Sequence, residues 1–299
     1  MWFPTLAWEH VGMPFIYTIW DLQHRLQPYF PEVSISGETF AEREAKFGHI
    51  CPRAALVIVP NQALQQEVQL FYGLPSGRIV TLAQPTPDFA LAHPVDVARL
   101  PARSLAQDYL FYPAQFWPHK NHVALLHALQ LLRDRHGLRP RLILTGADKG
   151  NLAHVRATAQ RLGVLDQVEF PGFVTQERLV ELYQGAFALA FPSFFGPENM
   201  PPLEAFALGC PVVAAQVSGS EYQLGDAALL FDPRHEAQLC AQLLRLEREP
   251  GLRQSLLRQG RDKAEAWTGR EFIAGLLAAL DGFAPIRRCW SADKPYVHT

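Results

Sequence analysis

The segment FFGPENMPPLEAFALGCPVVAA, residues 194–215, places a loop, a helix start and a strand within a short length of chain. Pro201 and Pro202 favour the first turn of a helix, because proline lacks the N–H that would be unpaired there. Gly209 suits the left-handed cap that ends a helix, and residues 212–215 are typical of a buried strand. A helix start exposes backbone N–H groups and the positive end of the helix dipole. The segment therefore predicts a site for a phosphate group.

Residues that could bind the same ligand follow other candidate strands. Lys120 lies in the loop after YLFYPA, Thr145-Gly146 ends RLILTG, and Val174 follows VEFPGF. The strand FALAFPS leads into the segment 194–215. In open α/β sheets, ligands bind beyond the carboxyl ends of the strands. We therefore expect these four ends to form one crevice, where the positive charge of Lys120 suits a diphosphate.

Each of these residues also has a purely structural interpretation. Lys120 alone is typical of a solvated surface lysine, and Gly146 of a glycine that ends a strand. Glu204 could simply complement the dipole of its helix. Their order and spacing together favour the binding site.

Short β-branched segments alternate with amphipathic segments along most of the chain. The candidate strands are 15–20, 55–59, 78–83, 109–114, 141–146, 168–173, 187–193, 211–215 and 228–232. The candidate helices between them are 122–137, 152–163 and 176–186. This alternation predicts an α/β fold of parallel sheets with helices on both faces.

The chain divides best within residues 84–107, where proline recurs and no period is sustained. We predict an N-terminal domain over residues 1–105, which carries only three convincing strands. A second domain over residues 106–283 carries an uninterrupted β-α series. Residues 284–299 form a tail without a clear period.

Composition excludes several classes of protein. With 299 residues, 48% of them hydrophobic, the chain can form two domains with separate cores and is not generally disordered. A net charge of −2 without a basic stripe argues against a nucleic-acid partner. The single cysteines Cys51, Cys210, Cys240 and Cys289 indicate a reducing compartment. No signal sequence or membrane-spanning segment is recognisable, which predicts a cytoplasmic protein and leaves peripheral membrane contact open.

Motif searches exclude other chemistries. The chain has no G-x-G-x-x-G after a strand, no P-loop and no G-x-S-x-G elbow. His119 and His122 are three residues apart, but no third ligand has suitable spacing, which argues against zinc. His24 has two interpretations: it could position an acceptor, or it could be a structural histidine among polar neighbours such as Asp21 and Arg25.

The segments FWPHKNHVALLHAL, VEFPGFV, FGPENMPPLEAFALGCPVVAA and SGSEYQLGDAALLFDP resemble the GT-B glycosyltransferases, in particular the family-4 group of retaining enzymes. The resemblance is good over about residues 109–283. It implies two Rossmann-like doubly wound domains, the N-terminal one abbreviated. It also implies sugar transfer from a UDP-, GDP- or ADP-sugar to a glycan or lipid-linked acceptor, with retained anomeric configuration and without a metal or other cofactor.

The resemblance also implies roles for individual residues. Lys120 matches the lysine that neutralises the diphosphate, and Glu204 matches the glutamate that binds the donor ribose. Glu198 is the carboxylate nearest to the first glutamate of the family's pair, which completes a catalytic set with those two residues. The implied donor-binding residues are Gln115, Lys120, Gly146, Phe173, Val174, Asn199, Met200 and Glu204. The implied acceptor-side residues are Trp20, Asp21 and His24.

The chain departs from the family pattern in several places. Gly196 occupies the position of the first glutamate, Gln115 lies where an arginine is usual, and Trp20 stands in place of a histidine. The family's N-terminal domain begins with a strand and a glycine-rich loop, and we expect the chain to lack both. An alternative is therefore a catalytically impaired nucleotide-sugar-binding protein or a partner subunit. The edges of the remaining N-terminal strands are expected to be exposed unless C-terminal helices or another chain, as in an oligomer, cover them.

Overall fold

A computed structural model describes residues 14–35, 39–196 and 198–289, which form two parallel β-sheets surrounded by helices. The strands are β1 (Ile16–Thr18), β2 (Leu56–Val59), β3 (Ile79–Thr81), β4 (Tyr109–Pro113), β5 (Arg141–Thr145), β6 (Val168–Gly172), β7 (Ala188–Phe191), β8 (Val212–Ala215) and β9 (Ala228–Phe231). The nine predicted strands are all present, each within two residues of its predicted ends.

The helices differ widely in length. They are α1 (Gln23–Leu26), α2 (Glu32–Ile35), α3 (Phe40–Ile50), α4 (Gln62–Tyr72), α5 (Asp88–Leu91), α6 (His122–His136), α7 (Leu152–Arg161), α8 (Gln176–Gly185), α9 (Met200–Ala207), α10 (Ser220–Leu224), α11 (Glu236–Arg248), α12 (Leu252–Ala266), α13 (Gly269–Asp281) and α14 (Ala284–Arg287). Within the described ranges, no helix is both long and apolar enough to cross a membrane.

The first sheet has the strand order β1-β2-β3, with all pairs parallel. Leu56 lies opposite Ile16, and Val57 lies opposite Ile79. Every residue of β2 is buried, as expected for a central parallel strand that is covered on both faces.

The second sheet has the order β6-β5-β4-β7-β8-β9, again with all pairs parallel. The residues of β7 and β8 are all buried, and the large core of the molecule surrounds this sheet. The α/β fold class predicted from the alternation of strands and helices is therefore confirmed.

Helix α9 lies close to its predicted place. Asn199 precedes its first turn, Pro201 and Pro202 fall within that turn, and Gly209 has a left-handed φ of +71° after the last turn. The proline and glycine signals that delimit this helix in the sequence therefore act through the backbone as expected.

Helix α13 packs against the first sheet, although the sequence interpretation groups it with the second domain. On its apolar side, the partly buried Phe272, Leu276 and Leu280 pack against a cluster that contains Ile16 and Ile58. The chain thus passes from the first sheet to the second at residues 82–87 and returns at Trp267. We call these two segments the crossing. The domain boundaries themselves stay a prediction.

Candidate active site

The second sheet has its topological switch point between β4 and β7, because the chain runs outward from β4 to β6 and then returns to β7. Ligands of open α/β sheets bind at this point, beyond the carboxyl ends of the strands. The loop after β4 carries Lys120, and the segment after β7 leads into α9. The N–H of Phe194 donates to the carbonyl of His119 at 2.9 Å, and the side chain of Asn121 donates to the carbonyl of Pro192 at 3.1 Å. Lys120 and the start of α9 therefore lie at the same edge of the sheet.

Lys120 is half-buried, and its Nζ atom lies 5.7 Å from the centre of the Phe191 ring. Burial lowers the pKa of Lys120 to about 8, and the carboxylates of Asp21 and Glu32 oppose this change. Among the residues that the structure describes, none forms a hydrogen bond or an ion pair with this ammonium. Its charge is therefore available to an anionic ligand.

The start of α9 offers fewer backbone donors than the sequence predicts. Pro201 and Pro202 have no N–H, and the N–H of Asn199 donates to Oε1 of Gln223 at 3.0 Å. The Gln223 amide in turn donates to the carbonyl of Asn199 at 2.7 Å. In the described part of the chain, the N–H of Met200 has no hydrogen-bond partner. A phosphate at this helix start would meet the Met200 amide and the helix dipole, but not the amide of Asn199.

A cavity of about 500 Å³ opens at the carboxyl ends of β4, β5 and β6. Four of the predicted donor-binding residues line it: Gln115, Gly146, Phe173 and Val174. Phe173 is 90% exposed, whereas Val174 packs on the core. The side-chain oxygen of Gln115 accepts a hydrogen bond from the Trp117 indole at 2.9 Å, which fixes the orientation of its amide. The size and lining of this cavity suit a small organic ring system such as a nucleobase.

Gly146 is required by the backbone that surrounds this cavity. Its φ is +135°, and a Cβ atom at this position would lie 2.4 Å from the carbonyl oxygen of Ala114. Its N–H donates to the carbonyl of Gly172 at 2.9 Å, so the loops after β4, β5 and β6 meet at this residue. The close approach of these loops gives Gly146 a structural purpose and also shapes the cavity.

We expect Gly146→Ala to lower the melting temperature more than the control substitution Gly137→Ala. Both glycines have a positive φ, but nothing lies within 4 Å of a Cβ atom on Gly137. The control therefore adds only backbone strain, about 1–2 kcal/mol. Gly146→Ala also forces a backbone clash, so we expect a loss of at least about 3 kcal/mol. Thermal unfolding measures both variants, and equal losses would contradict this prediction.

Glu204 lies on α9 and is held by a buried tyrosine. Its Oε2 atom accepts a hydrogen bond from the Tyr183 hydroxyl at 2.6 Å, and burial raises the pKa of this carboxyl group. Tyr183 itself is fully buried and forms an edge contact with Phe111 at 5.0 Å. The sequence did not identify Tyr183, because its helical spacing indicates a core residue and nothing local points to α9. The tyrosine leaves the other oxygen of Glu204 free of any hydrogen bond within the described ranges.

Glu198 faces the crossing and does not line the 500 Å³ cavity. Its carboxylate accepts a hydrogen bond from the backbone N–H of Gln84. It lines a separate cavity of about 90 Å³ together with Gln223, Lys263 and Trp267. Burial raises the pKa of Glu198 to about 8. The catalytic role implied by the resemblance stays a prediction, and this geometry favours a different role.

The three predicted acceptor-side residues have different environments. Trp20 is 36% exposed, and Asp21 is partly exposed while it binds Arg43 at 2.7 Å. His24 is fully buried, and its Nε2 atom lies 2.6 Å from Oε1 of Glu44. Burial lowers the pKa of His24 despite that hydrogen bond. The geometry therefore favours the structural interpretation of His24 and leaves Trp20 and Asp21 as the acceptor-side residues that reach the surface.

Glu44 is the centre of a polar network that includes His24. Besides His24, it accepts hydrogen bonds from Arg25 Nε at 2.8 Å and from the Tyr72 hydroxyl at 2.9 Å. These hydrogen bonds lower the pKa of Glu44 to about 2, although burial acts in the opposite direction. Glu44 therefore stabilises the fold when its carboxyl group is ionised.

We expect Glu44→Gln to reduce the free energy of unfolding by roughly 2 kcal/mol at pH 7. A lowered pKa stabilises the fold above the unfolded value near 4.5, and this contribution is lost as the pH falls towards 2. Urea unfolding at pH 7 and pH 3 should therefore give a smaller difference between wild type and variant at the lower pH. The control Glu249→Gln removes an exposed pair with Arg245 and should change the free energy of unfolding much less than Glu44→Gln does. A loss as small as that of the control would contradict the role of Glu44.

Contacts that the sequence did not indicate join the α1–α2 region to the site. Oε1 of Glu32 accepts the backbone N–H of His119 at 2.8 Å, and Gln27 donates to the carbonyl of Phe194 at 2.9 Å. The His119 ring stacks on Phe195 with centroids 3.9 Å apart. These contacts bring residues after β1 against the loops that carry Lys120 and lead into α9. His122, by contrast, is sealed in the core against Phe116.

Comparison with protein families gives a match over residues 101–263 to the family described as glycosyl transferases group 1. Among curated proteins, the chain is 28% identical over 218 residues to the O-antigen chain mannosyltransferase B of Escherichia coli, covering 72% of this chain and 57% of that protein. It is 33% identical over 180 residues to a D-inositol 3-phosphate glycosyltransferase of Acidothermus cellulolyticus, covering 58% of this chain and 40% of that protein. The chain spans about half the length of these relatives.

Solved structures share the fold. The Anabaena protein HepE, in a complex with UDP and glucose, has a TM-score of 0.72 at 17% identity, covering 90% of this chain and 71% of that one. A sucrose-phosphate synthase from Thermosynechococcus elongatus has a TM-score of 0.68 at 20% identity, covering 92% and 67%. At such identities the likeness concerns the fold, which is the GT-B architecture of two parallel-sheet domains.

Proposed function

The chain belongs to the glycosyl transferases group 1 family, and from that membership we propose that it transfers a sugar from a nucleotide-diphosphate donor to an acceptor hydroxyl. The observation that carries the proposal is the arrangement at the switch point of the second sheet. A cavity suited to a base, the Lys120 cation and the Met200 amide lie along one edge, and within the described ranges neither the cation nor the amide has a hydrogen-bond partner. These three features suit the base and the two phosphates of a nucleoside diphosphate.

In this proposal, the base occupies the cavity between Gln115 and Phe173, and the diphosphate lies between Lys120 and the N–H of Met200. Glu204 accepts hydrogen bonds from the ribose hydroxyls, which suits a carboxylate because it has only acceptor atoms. The Tyr183 hydroxyl holds one carboxylate oxygen in place at 2.6 Å and leaves the other for the ligand.

The proposed chemistry follows from where charge develops. When the bond between the sugar and the diphosphate breaks, negative charge accumulates on the leaving group, and a preorganised cation at that position lowers the barrier. Lys120 supplies this charge without a change of side-chain partners. We propose that no metal is required and that the anomeric configuration is retained, as the family-4 resemblance implies.

The acceptor is proposed to be a glycan or a lipid-linked glycan that approaches past Trp20 and Asp21. The names of the curated relatives, an O-antigen chain mannosyltransferase and an inositol-phosphate glycosyltransferase, support a hydroxylated acceptor of this kind. We propose that the reaction takes place in the cytoplasm, where nucleotide sugars are the available donors.

Calorimetry with UDP-, GDP- and ADP-sugars tests the proposal. Wild type is expected to bind one of these classes, with a nucleoside monophosphate binding more weakly because it lacks the second phosphate. A product assay with the donor that binds then measures transfer. Binding without transfer or donor hydrolysis would support the binding-only alternative, and no binding to any of the three would overturn the donor site.

A further inference from the structure

Two neighbouring residues attach the start of α9 to distant parts of the chain. Glu198 accepts the backbone N–H of Gln84, which lies in the crossing. Asn199 forms a reciprocal pair of hydrogen bonds with the side chain of Gln223 on α10, at 3.0 and 2.7 Å. Neither set of bonds involves the 500 Å³ cavity, yet both fix the residues that directly precede Met200.

The crossing to which Glu198 binds is itself held by two hydrogen bonds. The Trp267 indole donates to the carbonyl of Ala83 at 2.9 Å, and the N–H of Thr86 donates to the carbonyl of Trp267 at 3.0 Å. The two passages of the chain between the sheets are thus bonded to each other. A contact from Glu198 to this point fixes the start of α9 relative to both sheets.

The backbone conformation at Gly196 disfavours any side chain at that position. Gly196 has a φ of +125°, and the Asn199 side chain donates to its carbonyl at 3.0 Å. A Cβ atom on Gly196 would lie 2.5 Å from the side-chain atoms of Asn199. The glycine therefore permits Asn199 to fold back, and the nearest carboxylate is used for the contact with Gln84.

We propose that Glu198 is a positioning residue, which orients the Met200 amide and Glu204 for the donor by joining the start of α9 to the crossing. The inference rests on the proposed function, because the ligand whose binding Glu198 supports is the proposed nucleotide-diphosphate donor. In this proposal, Glu198 acts as a hydrogen-bond acceptor away from the reacting atoms and does not contact the sugar directly.

The role requires an acceptor atom and does not require a charge. Glu198→Gln keeps an oxygen that can accept the Gln84 N–H, whereas Glu198→Ala removes it. The charged group that faces Glu198 across the 90 Å³ cavity is Lys263 on α12, and Tyr222 lines the same cavity from α10. Glu247→Ala is the matched control, because Glu247 also accepts a backbone N–H, that of Leu105 at 2.9 Å, and this bond does not involve α9.

Two measurements on the full chain test the inference. In hydrogen exchange without ligand, Glu198→Ala should accelerate exchange of the α9 amides about tenfold, while Glu198→Gln and Glu247→Ala leave them close to wild type. In calorimetry with UDP, or with the diphosphate that wild type binds, Glu198→Ala should raise the Kd about tenfold and Glu198→Gln by less than about threefold.

The outcomes separate this inference from the proposed function. If Glu198→Ala lowers the melting temperature as Glu247→Ala does but leaves exchange in α9 unchanged, the positioning role is refuted. It is also refuted if Glu198→Gln weakens binding as much as Glu198→Ala, because an acceptor oxygen at this position would then not be sufficient. If wild type binds no nucleoside diphosphate, the proposed function fails, and the exchange measurement still decides whether Glu198 holds α9.

Discussion

Lys120→Ala is expected to weaken the binding of the cognate nucleoside diphosphate about 10- to 100-fold at pH 7, because a charge-assisted hydrogen bond contributes about 1.5–3 kcal/mol. The half-buried ammonium has no protein partner among the described residues, so the ligand would be the group that it pairs with. Titration calorimetry with UDP, GDP and ADP measures the loss. The nucleoside without phosphates should bind both proteins equally, which serves as the control for an intact base cavity.

The pH dependence of the same equilibrium gives an independent test. The pKa of Lys120 is lowered to about 8, so the free protein loses this positive charge as the pH rises above that value. Between pH 7 and pH 9, the affinity of wild type should fall about tenfold. Lys120→Arg keeps its charge over this range, so its affinity should be independent of pH even if its absolute value differs. A similar fall in the arginine variant would assign the titration to another group.

Much of the fold could be predicted because buried parallel strands are continuous apolar segments. The sequences LVIV, VVAA and ALAF are buried at every position, and the turn residues around them mark their ends. Helix α13 shows where this reasoning stops. Its apolar side is evident from the sequence REFIAGLLAAL, but the choice between the two sheets depends on packing with Ile16 and Ile58, more than two hundred residues earlier.

The candidate site also contains residues that the sequence predicts and contacts that it does not. Gln115, Gly146, Phe173 and Val174 follow three neighbouring strands, so the rule for strand ends brings them to one cavity without knowledge of any side chain. The direction of Glu198 depends instead on a hydrogen bond to a residue 114 positions away. The occupied amide of Asn199 depends on Gln223 in another helix. Such contacts have no local signal, so a motif can identify the segment but not the direction of each group.

Glu204→Gln is expected to weaken the binding of a ribonucleoside diphosphate about 10- to 50-fold, through loss of one of the two acceptor oxygens that the carboxyl group offers to Tyr183 and the ribose hydroxyls. The amide has one acceptor oxygen and a donor group, and the Tyr183 hydroxyl at 2.6 Å would occupy that oxygen. The ribose hydroxyls would then face the NH2 group of the amide, which cannot accept a hydrogen bond from them. Calorimetry at pH 7 with the cognate diphosphate measures the loss, and thermal unfolding checks that the variant is folded.

The 2′-deoxy and 3′-deoxy analogues of the same diphosphate separate this role from a general effect on α9. If Glu204 binds the ribose, removal of a hydroxyl should weaken binding to wild type but have little further effect in Glu204→Gln, because the two changes remove one interaction. Tyr183→Phe should give an intermediate loss, since the carboxylate keeps its charge but loses the bond that orients it. Equal sensitivity of wild type and Glu204→Gln to the deoxy analogues would place the ribose elsewhere, because the hydroxyl would then have a partner that the substitution does not remove.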